Sequence, residues 1–140
     1  MEEEDFAPPG ERPRPLILLA DDDPEIRRLL TLHFSSTDCD LIETADGAET
    51  LEAVIVHKPD LIILDVMMPE LSGWEICKYI KERDDEYAHT GVLMLTAIGE
   101  INNALTSPLF GADDYMDKPF DLGELDNKVQ HILASKKAEA

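Results

Sequence analysis

The sequence predicts an α/β protein, a five-stranded parallel sheet flanked by five helices. Three observations predict it. Short apolar runs alternate with segments whose apolar residues recur at helical spacing. The runs at 16–20, 61–64 and 92–95 lack polar alternation, which is the pattern of strands covered on both faces. The 140 residues, 44% of them hydrophobic, suffice for one domain with a real core and are too few for two.

The elements follow in order. Residues 1–15 hold Pro8, Pro9, Pro13 and Pro15 with no periodic pattern, and read as a flexible acidic lead-in. The folded domain is expected over 16–135, with 136–140 as a short tail. A first strand at 16–20 is followed by Asp23, a plausible N-cap, and Pro24 at the first helical position. Ile26, Leu29, Leu30, His33 and Phe34 then share one helix face. A weaker strand at 41–45 precedes a helix lined by Leu51, Val54 and Ile55. The strand at 61–64 precedes a helix entered through Gly73 and lined by Ile76, Cys77 and Ile80. Between that helix and the strand at 92–95, Asp84, Asp85 and Glu86 read as a solvated loop. A helix over 99–111 comes next, with Ile101, Ala104 and Leu105 on one face and a disturbance at Pro108. A short strand at 114–116 leads to a last helix, capped by Asp121 and lined by Leu122, Leu125, Val129, Ile132 and Leu133.

Charge and composition narrow the function. A formal net charge of −19 repels phosphate backbones and anionic lipid, so neither direct nucleic-acid nor membrane binding is expected. No stretch approaches the roughly 20 apolar residues of a membrane span, and the acidic N-terminus lacks the pattern of a secretory signal. Cys39 and Cys77 form no disulfide or metal framework. A cytoplasmic location is the expectation.

In an open parallel sheet the chemistry lies outside the carboxyl ends of the strands. There the sequence places Asp21, Asp22 and Asp23, then Asp65, Thr96 and Lys118. Capping accounts for Asp23. Asp65 interrupts an apolar stretch and is costly unless neutralised. Asp21, Asp22 and Asp65 brought together repel one another and need a cation, and as an all-oxygen set of metal ligands they suit a hard divalent ion, Mg2+ above all. Lys118 supplies a built-in positive charge, and Thr96 a donor to a phosphoryl oxygen. Asp65 then serves as the nucleophile that carries the phosphoryl group.

The segments at 18–24, 64–69 with Gly73, 95–97 and 111–120 together resemble the receiver domain of two-component response regulators, over residues 16–133. The resemblance implies a flavodoxin-like receiver fold. It implies that Asp21 and Asp22 hold the magnesium, with the Met67 carbonyl as a further ligand. Asp65 would accept the phosphoryl group from a histidine kinase or histidine phosphotransfer protein, in contact with Thr96 and Lys118. The Lys118–Pro119 peptide is expected to be cis. Tyr115 falls at the aromatic switch position, and the 99–120 surface would control a downstream protein effector. The chain would catalyse its own phosphorylation and dephosphorylation, without turnover of a separate substrate. So few residues follow the last helix that no DNA-binding module is expected after it, unless the chain is one domain of a longer protein. No basic residue lies between 99 and 117, which favours a monomer or a weak activation-dependent dimer over a salt-bridged one. Ala97 leaves room for the phosphoryl group, and Met67 and Ile98 flank the entrance.

Two other readings compete. A haloacid-type phosphatase wants a second aspartate two residues after the nucleophile, where this chain has Met67. A phosphorylation-independent interaction module on the same fold is the second; the complete set Asp22, Asp65, Thr96 and Lys118 argues against it, although ligands can persist without use.

Overall fold

The computed structural model describes residues 6–96 and 111–139. Five parallel strands, β1 (Leu16–Ala20), β2 (Asp40–Thr44), β3 (Leu61–Asp65), β4 (Gly91–Thr96) and β5 (Asp114–Asp117), form one sheet in the order β2-β1-β3-β4-β5. The described helices are α1 (Pro24–Phe34), α2 (Gly47–His57), α3 (Gly73–Glu82), α4 (Asp84–Tyr87) and α5 (Leu122–Glu139). The expected α/β architecture with its five parallel strands is present. The helix expected over 99–111, with Ala97 and Ile98 before it, lies outside the described residues.

Why the central strands carry unbroken apolar runs is visible in the packing. Leu18, Ile62, Leu64, Val92 and Met94 face one side, against Val54, Ile76 and Ile80 of α2 and α3. Ile17, Leu19, Leu61, Ile63, Leu93 and Leu95 face the other, against Leu30 and Phe34 of α1 and Leu125, Val129 and Ile132 of α5. Successive side chains point to opposite faces, so a strand with helices on both faces must be apolar at every position. Each such leucine or isoleucine contributes about 1.5–3 kcal/mol by leaving water.

Caps start the helices where the sequence signals them. Asp23 accepts from the Glu25 amide at 2.9 Å, with Pro24 in the first turn. Asp46 accepts from Glu49 at 2.8 Å, and Asp121 from Glu124 at 2.9 Å. Ser72 and Glu75 form a reciprocal capping box at the start of α3.

Two local readings differ from the structure. The acidic stretch read as a loop contains the single-turn helix α4, too short to display a period. Strand β2 begins and ends one residue earlier than its apolar run, because its register with β1 pairs Leu16 with Asp40 and Ala20 with Thr44. Helix α5 closes on Lys136 and Lys137, as the sequence suggests, and ends at Glu139. Arg12 also has a place that periodicity does not signal. Its guanidinium donates to the carbonyls of Ala7, His57 and Lys58 and to Asp60, holding the described part of the lead-in against the domain.

Strand order decides where a site can form. It reverses between β1 and β3, whose carboxyl ends lie side by side, with Ala20 paired to Leu64. The crevice of an open α/β sheet opens at that switch point. Asp21 follows β1 directly, and Asp65 is the last residue of β3.

Candidate functional site: a carboxylate cluster at the strand ends

Asp21, Asp22 and Asp65 converge at this crevice, with one carboxylate oxygen from each lying within 4.8 Å of the others. Asp21 and Asp65 are buried, at 1% and 5% exposure, while Asp22 is exposed. The opposing charge comes from the loop after β5. Lys118 Nζ lies 2.9 Å from Asp21 Oδ2 and 3.4 Å from Asp65 Oδ1. The Lys118–Pro119 peptide is cis.

Backbone and neighbouring side chains fix these groups. The Asp23 amide donates to Asp21 Oδ1 at 2.9 Å. Arg27, one turn into α1, donates to the Asp21 carbonyl at 2.8 Å and so ties the β1–α1 loop to the helix. The Met67 amide donates to Asp65 Oδ1 at 3.3 Å, whereas Met67 itself is 63% exposed. Gly73 is required here. A Cβ on it would come within 2.3 Å of the Asp65 carbonyl, because α3 starts directly against the backbone of the site. Its amide donates to the Val66 carbonyl at 2.8 Å.

The electrostatics follow from that crowding. Burial, reinforced by Asp21 and partly offset by Lys118, pushes the Asp65 carboxyl up from 3.8 to about 7. Burial pulls the Lys118 ammonium down, but its contacts with Asp21 and Asp65 outweigh this, and its pKa is raised. Three carboxylates against one ammonium leave the cluster short of positive charge. All the converging donors are hard oxygens, so the cluster is able to bind a divalent metal ion.

The remaining predicted residues sit around this centre. Thr96 ends β4 and is fully buried. Its hydroxyl donates to Asp117 Oδ1 at 2.8 Å, not to the carboxylate cluster. Tyr115, on β5, is partly buried against the α3 side of the core, with its ring 6.1 Å from that of Trp74. Burial raises its phenol pKa. Arg27 and Asp117 are the participants that the sequence did not single out. An acid beside Lys118 at a strand end was the available signal for Asp117.

None of the four histidines joins the site. His33 on α1 pairs with Asp126 of α5 at 2.7 Å and packs on Phe34. His89 contacts the Lys58 carbonyl at 3.0 Å. Cys77 is buried, which pushes its thiol up to about 11. A cavity of about 390 Å3 opens at the opposite, amino-terminal edge of the sheet, beside Arg12, Asp60, His89 and Lys136. It shares no residue with the carboxylate cluster, and its cations are engaged by acids, Arg12 by Asp60 and Lys136 by Asp113. No helix among the described residues is long and apolar enough to cross a membrane.

Comparison with known proteins agrees with this geometry. Residues 17–130 match the family model of the response regulator receiver domain. The chain is 38% identical over 119 residues to the DNA-binding dual master transcriptional regulator RpaA of Synechocystis, covering 85% of this chain and 49% of that protein. It is 40% identical over 117 residues to the alkaline phosphatase synthesis transcriptional regulatory protein PhoP of Bacillus subtilis, covering 84% of this chain and 48% of that protein. The chain thus spans about half the length of these curated relatives. Among solved structures, the receiver domain of the Francisella response regulator 1452 superposes with a TM-score of 0.77 at 30% identity, over 87% of this chain and 98% of that one.

Proposed function

The chain belongs to the response regulator receiver domain family, and on that premise we propose that Asp65 is its phosphoacceptor, in a switch charged by a histidine kinase or histidine phosphotransfer protein. The observation that carries this reading is the buried Asp65 at the strand-order switch point, facing Asp21, Asp22 and Lys118.

The chemistry assigns a task to each residue. An Asp65 oxygen attacks phosphorus in line with the donor's P–N bond. The P–O bond forms as the P–N bond breaks, and the imidazole nitrogen keeps the electron pair. Lys118, now 3.4 Å from Asp65, moves its charge to a phosphoryl oxygen as Asp65 loses its own. Thr96 donates a hydrogen bond from its hydroxyl to another. Asp21, Asp22 and Asp65, with the Met67 carbonyl, would hold Mg2+. The ion would supply the charge stabilisation that a transferring phosphoryl group requires. In the reverse direction water attacks phosphorus and the Asp65 carboxylate leaves.

Output follows from the same residues. As Thr96 turns toward the phosphoryl group, Tyr115 takes up the space released, and the 99–120 surface changes for a protein effector. Receiver-to-receiver pairing through acid–base contacts is disfavoured. Asp114 is already engaged by Lys128 of its own chain at 3.1 Å, and Asp113 by Lys81 and Lys136.

The test is intact mass after incubation with acetyl phosphate. The reading expects a gain of one phosphoryl group that requires Mg2+, is lost in excess chelator and is absent from Asp65→Asn. A gain that survives Asp65→Asn would place the acceptor elsewhere. Inertness toward both acetyl phosphate and kinases would favour a phosphorylation-independent interaction module.

A further inference from the structure

Thr96 has a single hydroxyl proton, and here that proton is committed. It points to Asp117 Oδ1 at 2.8 Å, and the next acceptor, the Met116 carbonyl, is 3.5 Å away. The contact is a product of sheet register, not of a loop. The β4–β5 pairing sets Thr96 directly opposite Asp117. Thr96 is fully buried, and a bond from a buried hydroxyl to a carboxylate is about twice as strong as one between neutral groups.

We propose that Asp117 is a positioning residue that sets the threshold of the switch, by holding the Thr96 hydroxyl in competition with the phosphoryl group. The inference rests on the phosphoacceptor reading given above. One proton cannot serve two anionic acceptors, so a phosphoryl oxygen on Asp65 gains Thr96 only when Asp117 loses it. Asp117 is only partly buried, so the released carboxylate is rehydrated instead of being stranded. That makes the exchange reversible. It also adds to the free energy of the phosphorylated state a cost that a non-accepting side chain at this position would not impose. Thr96 keeps the Met116 carbonyl as a fallback acceptor, so loss of Asp117 does not orphan a buried hydroxyl.

Two measurements on the full chain test this. The first needs neither metal nor phosphoryl donor. Three-bond NMR couplings report the Thr96 χ1 rotamer in the wild type, Asp117→Asn and Asp117→Ala. A single rotamer is expected in the wild type, and averaging in Asp117→Ala. The second is titration with beryllofluoride, a phosphoryl mimic, in the presence of Mg2+. Binding should tighten about tenfold in Asp117→Ala, the size of one charge-assisted hydrogen bond. Asp117→Asn, which keeps an acceptor of the same shape without the charge, should fall between. Thermal unfolding of each variant identifies any that fails to fold, in which case Asp117→Asn decides alone. Unchanged rotamers, or an unchanged affinity in a variant whose rotamer has shifted, would overturn the inference and leave Asp65 as phosphoacceptor. A wild type that binds no beryllofluoride would remove the phosphoacceptor reading, and the threshold with it.

Discussion

Asp65, the proposed phosphoacceptor, is held in an unfavourable setting for a charged carboxylate. Burial and the neighbouring Asp21 raise the Asp65 carboxyl from 3.8 to about 7. The folded chain therefore holds this proton more tightly than the unfolded chain does. The stability contributed by the group is full below the unfolded value near 3.8 and is lost as pH rises through about 7. Metal-free protein should accordingly lose thermal stability over that window, and Asp65→Asn should flatten the loss. At pH 7 and above the same substitution should raise the unfolding midpoint by roughly 4 °C or more, and adding a divalent cation to the wild type should do likewise. A pH dependence identical in both proteins would show that Asp65 carries no such strain. Met67 offers a second prediction at this scale. The residue is 63% exposed while its amide binds Asp65. As an apolar cover it should slow the attacking water, so Met67→Ser should shorten the acyl phosphate lifetime about two- to tenfold. Decay at the wild-type rate would remove that role.

At the scale of elements, the site depends on how closely α3 approaches β3. Gly73 sits where a Cβ would come within 2.3 Å of the Asp65 carbonyl. Gly73→Ala should force the β3–α3 connection outward, cost about 1–3 kcal/mol in chemical unfolding, and lower the phosphorylation rate through displacement of Met67 and Asp65. Wild-type behaviour on both counts would mean that the loop yields without disturbing the site. Asp21 and Asp65 could be found from the sequence because each follows an apolar run, Lys118 because it follows the short last strand, and strand ends in a parallel sheet share one edge. The caps at Asp23 and Asp121 were equally local. The Thr96–Asp117 bond was not legible, because the register of two strands separated by a long crossover is not written in either strand. Arg12 and Arg27 were missed for a related reason: their acceptors are mostly backbone carbonyls, which leave no mark in the sequence. Helix α4 has four residues, fewer than a hydrophobic period needs.

For the molecule as a whole, the question is how a change at Asp65 reaches a surface. Tyr115 stands on β5 beside the site's last strand, and its ring lies 6.1 Å from Trp74 on α3. Trp74 is the chain's single tryptophan, so its emission reports this contact without ambiguity. Binding of beryllofluoride with Mg2+ should change that emission in the wild type, and Tyr115→Ala should remove most of the change. An emission insensitive to the mimic would disconnect Tyr115 from the switch. The strongly acidic surface and the internal pairing of Asp113 and Asp114 predict sedimentation as a monomer, or as a weak dimer only when activated. A tight activated dimer would contradict this.

If Asp65 carries the phosphoryl group, the modification must be found on that residue. After incubation with acetyl phosphate and Mg2+, borohydride reduction converts an aspartyl phosphate to homoserine, which peptide mass mapping then locates. Homoserine is expected at position 65 and at no other aspartate, with none formed when Mg2+ is chelated. Homoserine at Asp21, Asp22 or Asp117, or a phosphoryl group that resists reduction, would contradict it.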